Sequence, residues 1–239
     1  MCGKGYAGTI KNKGRGLFKT AFFVFVLLFL GQYKALASAK IIHPTPAVNE
    51  YCRISGCDFQ VFYRYFYTNK ARFCADKQRI ETHRRQNAIR NYMMSEMNKE
   101  GLPRAVGLIP MLESSYSIGN RQQDSLQKAA GPWQFLPETA EDMGLLISEE
   151  VDERFDLQKS TAAGARYIKW LVEKFDGDLN LAVLSYHAGI GRIEKLIDTY
   201  QIDNPWFLSK LISENYPDKD YLAKFHSYAL ALTTNGCGE

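Results

Sequence analysis

The chain has 239 residues, 46% of them hydrophobic, and a formal net charge of +4, which suits one globular domain plus an extension. The positive excess lies at the start: residues 1–39 hold six basic residues and no acidic ones, leaving 24 basic against 26 acidic residues, a net charge of −2, in the rest. That balance excludes a strongly basic folded domain of the kind that binds nucleic acid.

Residues 1–39 read as a secretory signal peptide. Lys4, Lys11, Lys13, Arg15 and Lys19 precede the unbroken apolar run Ala21 to Leu30, and small residues at Ala35, Ala37 and Ala39 come after it. The run is shorter than the roughly 20 residues of a membrane span. The expected destination is the periplasm or the exterior, with inner-membrane anchoring if the segment stays uncleaved. Cysteine usage agrees with export. Cys52, Cys57, Cys74 and Cys237 remain after the signal, an even number with three possible pairings. Each pairing ties an early cysteine to Cys237, and the expected pattern is one bond to Cys237 and one inside the early cluster. The spacing C-x4-C-x16-C with only His83 nearby does not match a zinc site, and no metal is expected.

Residues 40–100 form a small N-terminal extension. His43 to Glu50, with Pro44 and Pro46, reads as an extended lead-in. Residues 59–73 are densely aromatic. Phe59, Val61, Tyr63, Tyr65 and Tyr67 alternate as in a strand, although Phe62 and Phe66 spoil the polar face. These aromatics are expected to pack on the main domain, with a surface for envelope protein partners as the alternative. Residues 77–99 read as one helix with Ile89, Tyr92 and Met93 on a shared face.

The stretch Leu102 to Ser117 organises the rest of the chain. Ala105, Leu108, Ile109 and Leu112 fall at i, i+3, i+4, i+7 and predict one buried helical face that delivers Glu113 at its end. A carboxyl group in such a place is costly to ionise, which suits a general acid. Residues 116–130 are polar loop. Gly131-Pro132-Trp133-Gln134-Phe135 is a compact block in which Gln134 stands among bulky neighbours and needs a specific hydrogen bond. Asp156 fits the N-cap of a strong helix over about 157–175. Leu179 to Tyr186 is a shorter apolar helix ended by His187-Ala188-Gly189. Ile193, Leu196, Ile197 and Tyr200 mark the next helix, and Tyr221, Phe225, Tyr228 and Leu232 mark the last.

Glu113-Ser114, Gly131-Pro132-Trp133-Gln134, Ser185-Tyr186-His187-Ala188-Gly189, and Tyr221 ahead of Lys224-Phe225 resemble the four ordered motifs of the lytic transglycosylase SLT family. The block Val151 to Asp156 also resembles a VDxRxD stretch often found there. The resemblance covers residues 101–235. It implies an all-α, lysozyme-like catalytic domain and cleavage of peptidoglycan glycan strands without a cofactor. It also implies a single catalytic acid/base, Glu113, with Ser114, Gly131, Gln134, Tyr186, His187 and Tyr221 on the substrate side. Tyr221 is similar to a late tyrosine that hydrogen-bonds the catalytic glutamate. Asp124, Asp152, Glu153 and Asp156 are the candidates for a second carboxylate, and none stands in a motif of matching type. His187 replaces the family's usual asparagine; histidine can hydrogen-bond a sugar, and its charge changes near neutral pH. A lysozyme-like hydrolase and a weakly active scaffold of an envelope-spanning assembly are the competing readings.

Overall fold

A computed structural model of the chain describes residues 46–119, 126–214, 220–234 and 236–238. The signal segment, Asp124 and part of the 116–130 loop lie outside the described residues. Residues 44–239 form one compact unit. Its described part is all-α, as the sequence predicts, with only two isolated β-bridges. No described helix is long and apolar enough to cross a membrane.

The first elements differ from the sequence reading. Residues Pro46–Ser55 form α1: Pro46 opens it, where a missing N–H costs nothing. The aromatic run is not extended but is the start of a long helix, α2 (Phe59–Thr82). Asp58 caps it by accepting from Val61 N, and Phe62, Phe66, Phe73 and Ile80 form its buried stripe. Every aromatic lies in a run where both periods fit, so the alternation misleads; the stripe at i, i+4, i+11 and i+18 decides for a helix. The anticipated helix over 77–99 is split at His83. That residue takes an extended conformation, ends α2 and caps α3 (Arg84–Lys99) through its ring nitrogen.

The extension does not stand apart from the catalytic region. It shares one hydrophobic core with α6 (Leu157–Lys174), α7 (Leu179–Ala188), α8 (Ile190–Tyr200), α9 (Pro205–Ser213) and α10 (Tyr221–Thr233). Helix α10 lies along α2, where Tyr228 donates to Asp76 at 2.6 Å and the Phe73 and Tyr228 rings meet edge to face. Trp206 of α9 donates to Gly56 O, and Asn180 of α7 donates to Ser55 O.

The disulfides match the anticipated pattern, Cys52–Cys57 within the early cluster and Cys74–Cys237 between the ends. The second closes a loop of 163 residues. Removing it with Cys74→Ser and Cys237→Ser together is expected to lower the unfolding free energy by about 2–4 kcal/mol. Urea denaturation of oxidised wild type and variant reads this directly. Equal midpoints would mean that α2 and α10 hold together by packing alone.

His226 of α10 is buried at 1% exposure. Its Nε2 lies 2.8 Å from Asn180 Oδ1, which can only accept, so Nε2 carries the hydrogen and Tyr51 donates its hydroxyl to Nδ1 at 2.8 Å. Both ring nitrogens are used by the neutral tautomer, and burial pushes the pKa from the ordinary 6.5 down to about 3. The unfolded chain therefore takes a proton on this histidine below pH 6.5, whereas the folded chain does not until about pH 3. Stability is complete above 6.5 and is lost as pH falls through that window, by about 1.4 kcal/mol per pH unit at most for this one group. His226→Gln should show a shallower decline of unfolding free energy between about pH 7 and about pH 5. An unchanged slope in the variant would assign the acid sensitivity to other groups.

Candidate active site

Glu113 is presented by a shorter helix than its periodicity predicts. Arg104–Leu108 is a 3₁₀ turn, and α4 spans only Ile109–Ser114. Pro110 lacks the N–H that would continue one helix across the junction, and Ile109 N bonds Val106 O with 3₁₀ spacing. Val106 to Met111 are buried, whereas Ala105 and Leu112 are half-buried. Gly107 lets the turn lie against the α3 backbone, since a Cβ there would come 2.7 Å from Met94 N. Helix α4 then stops abruptly. Ser115 and Tyr116 both take left-handed φ values, and their amides bond Met111 O and Pro110 O, each at 3.1 Å, the paired pattern that closes helices. This fixes Glu113 one residue before the end, facing a groove.

The opposite wall is the turn at residues 130–135. Ala130 and Phe135 exchange backbone hydrogen bonds at 3.1 Å. Its anchor is Arg154, completely buried with Asp152. Asp152 takes the guanidinium with both oxygens, at 2.9 and 2.7 Å, while Arg154 Nη1 donates to Lys128 O and Phe135 O at 2.7 and 3.0 Å. Gly131 sits on this anchor with φ of +73°, and a Cβ would fall 1.9 Å from Arg154 O, so glycine is required by the approach of two backbones.

The anticipated site residues divide into two groups around this frame. Glu113, Gln134, Tyr186 and His187 line one groove of about 410 Å³, together with Tyr167, Leu136 and Thr139. Ser114, Gly131 and Tyr221 do not line it and instead hold it in shape. Ser114 donates to Pro132 O at 2.8 Å, tying the end of α4 to the turn. Tyr186 donates to Trp133 O at 2.6 Å, so it offers the groove its ring rather than its hydroxyl. Gln134, in left-handed conformation, donates to Gly131 O at 2.7 Å, which leaves its amide oxygen available.

Tyr221 reaches up from α10 and donates to Glu113 Oε1 at 2.6 Å. Burial, and then the nearby Glu113 charge, push its pKa well above the ordinary phenol range, so it stays a donor. The His187 ring stacks on the Tyr221 ring with centroids 3.9 Å apart, and Nδ1 lies 3.5 Å from Glu113 Oε1. Thus Oε1 is held by protein while Oε2 has no hydrogen-bond partner among the described residues. Behind the pair, Lys224 is half-buried: desolvation and Arg72 hold its pKa below the ordinary lysine range, against the opposing pull of Glu113 and Asp76.

Glu113 is the one acidic residue among those described as lining the groove. Of the candidate carboxylates, Asp124 lies outside the described residues, and the described ones are occupied elsewhere: Asp152 by Arg154, Glu153 by Lys159 and Leu146 N, and Asp156 as N-cap of α6. The described residues hold no cluster of His, Cys, Asp or Glu with the makings of a metal site.

Residues 91–206 match the model of the transglycosylase SLT domain. This segment is similar to a transglycosylase SLT domain. Its match begins inside α3, ahead of the boundary at residue 101 expected from the motifs. The chain is 33% identical over 108 residues to the membrane-bound lytic murein transglycosylase D of Escherichia coli (strain K12), covering 45% of this chain and 23% of that protein. It is likewise 33% identical over 106 residues to a putative tributyltin chloride resistance protein of Alteromonas sp. (strain M-1), covering 44% of this chain and 50% of that one. The chain thus spans a quarter to a half of the length of these relatives. The SLT motifs Glu113-Ser114, Gly131 to Gln134 and Ser185 to Gly189 lie inside the matched segment, and Tyr221 lies beyond it.

Proposed function

We propose that the chain is a peptidoglycan lytic transglycosylase with Glu113 as its only acid/base. The observation that carries this reading is the asymmetric environment of the Glu113 carboxyl group. One oxygen is fixed by Tyr221 at 2.6 Å; the other has no partner among the described residues, and no second acid is among those described as lining the groove. A group so placed has a defined direction for proton transfer, which is the geometric requirement of general acid catalysis.

The cycle then runs on one carboxyl group. Glu113 gives its proton to the glycosidic oxygen between N-acetylmuramic acid and N-acetylglucosamine as the bond to C1 breaks, and the sugar's own N-acetyl group assists from the other face. Glu113, now a carboxylate, takes the proton of the muramyl C6 hydroxyl. The C6 oxygen attacks C1 and closes a 1,6-anhydro ring. The first proton leaves on the new 4-hydroxyl of N-acetylglucosamine, the C6 hydroxyl has reprotonated Glu113, and no water is consumed. Gln134 offers its amide oxygen to the sugar beside the cleaved bond, and the Tyr186 ring supports a pyranose face. His187 reaches the sugar from the same wall, its Nδ1 3.5 Å from Glu113 Oε1.

Ordinary glycosidases of this general type work with a pair of carboxyl groups. Because Asp152, Glu153 and Asp156 are all engaged away from the groove, the hydrolytic alternative lacks its second group among the described residues. The names of the murein relative and of the matched domain support the same substrate class. Export through residues 1–39 would bring the protein to that substrate. Mass spectrometry of material released from purified sacculi tests the reading. Anhydro ends are expected; reducing ends would select a hydrolase, and no release would select a scaffold.

A further inference from the structure

A second pocket of about 470 Å³ is lined by the end of α4 and the residues that follow it. Glu113 lines the groove and the next residue, Ser114, lines this pocket. Its walls come from two places: the left-handed exit of α4, through Ser115, Tyr116 and Ser117, and the junction of α2 with α3, through His83, Arg85 and Gln86. Gln86 Nε2 reaches Ser115 O at 3.4 Å and joins the two walls. The junction residues precede the segment matched by the SLT domain, so this wall belongs to the extension rather than to the shared catalytic domain.

The charge in this pocket has one sign. Arg85 is exposed and makes no ion pair among the described residues, and no acidic side chain is among those described as lining the pocket. Glu81, the acid at the end of α2, is turned toward Arg90, 3.8 Å away. Arg90 is 8% exposed, its Nη1 has no hydrogen-bond partner, and its charge is felt by Tyr116 in the pocket wall. The serine hydroxyls and the Gln86 amide supply polar groups beside the cation. A pocket with a free guanidinium, a second cation behind its wall and uncharged donors around it suits a carboxylate.

We propose that this pocket binds a carboxylate of the stem peptide carried by the muramic sugar at the cleaved bond, with Arg85 as the binding cation. The inference rests on the glycan reading of the Glu113 groove. Muramic acid carries its peptide on the ring itself, so a sugar seated beside Glu113 projects that substituent across the edge of the groove. Consecutive residues, Glu113 and Ser114, line the two sites. The pocket then makes the protein selective for glycan that still bears peptides, over strands from which the peptides have been removed.

Equilibrium binding of two soluble glycan preparations to the full chain tests this without depending on turnover. One preparation carries uncrosslinked stem peptides; the other is the same material stripped of them by an amidase. Wild type should bind the peptide-bearing strands about tenfold more tightly, as expected for one charge-assisted contact. Arg85→Glu should abolish the preference, Arg85→Lys should retain most of it, and affinity for stripped strands should stay the same in all three proteins. Circular dichroism of the variants checks the fold, which an exposed position should not disturb. Equal affinity of wild type for the two preparations, absence of binding to both, or a preference that survives Arg85→Glu would overturn the proposal. A protein that shows the preference but releases no product from sacculi would keep this site and remove the transglycosylase reading.

Discussion

Glu113→Gln is expected to lower turnover of peptidoglycan by about 10²- to 10⁴-fold, the range for loss of acid/base catalysis, with the fold intact. The amide keeps an oxygen that accepts from Tyr221 and so preserves the contact at 2.6 Å. It has nearly the same shape, and it cannot give up and reclaim a proton. One group serves both halves of the proposed cycle, and no second acid is among the residues described as lining the groove. The test is release of soluble muropeptides from sacculi by wild type and variant at equal concentration, with binding to intact glycan as the control. Activity above about a tenth of wild type would remove Glu113 from the chemistry.

The second large effect falls on a residue that touches no substrate. Asp152→Ala leaves the Arg154 guanidinium in a place that water does not reach, since both side chains are completely buried. Breaking a buried pair from one side typically costs about 3–5 kcal/mol, a large share of the stability of any domain. The loss is local in origin. Arg154 holds Lys128 O and Phe135 O, and through them the turn that carries Trp133 and Gln134. Activity at a temperature where the variant is still folded should therefore fall as well. Urea unfolding and turnover assays on the same preparation read both. A stability change below about 1 kcal/mol would place the pair among ion pairs of little net worth.

Much of this site is legible in the sequence because short motifs carry it. Glu113, Gln134, Tyr186 and His187 stand in ordered motifs and converge on one groove, and Tyr221 reaches the glutamate that the motif pattern pairs it with. The helices α6, α7, α8 and α10 are marked by apolar spacing of period 3.6 and by Asp156 as a strong cap. The distinction between lining and holding is not legible. Ser114 and Gly131 are part of the motifs, yet their contacts are with Pro132 O and the Arg154 backbone. Nothing in residue type separates a serine that touches substrate from one that ties two walls together.

The extension is the least legible part. In residues 59–73 nine of fifteen positions are apolar or aromatic, enough for a period of two and a period of 3.6 both to be read, and the packing against α10 decides. His83 is a weak signal for a helix boundary, so residue type does not betray the split of α2 from α3, although that split builds the wall that Arg85 occupies. The helices at Pro137–Asp142 and Pro205–Ser213 carry their signal in an opening proline, with Asn204 capping the second. The role of Arg154 is hidden for another reason: a charged residue in a polar block reads as solvated, and its complete burial arises from the carbonyl groups of a distant turn.

The central claim is that the sugar's own C6 hydroxyl, rather than water, attacks C1 and gives Glu113 its proton back. Digestion of sacculi in water enriched in ¹⁸O, with mass spectrometry of the released muropeptides, measures this at the bond that forms. Products with anhydro ends and no ¹⁸O at C1 are the expected result. Reducing ends carrying ¹⁸O at C1 would contradict it.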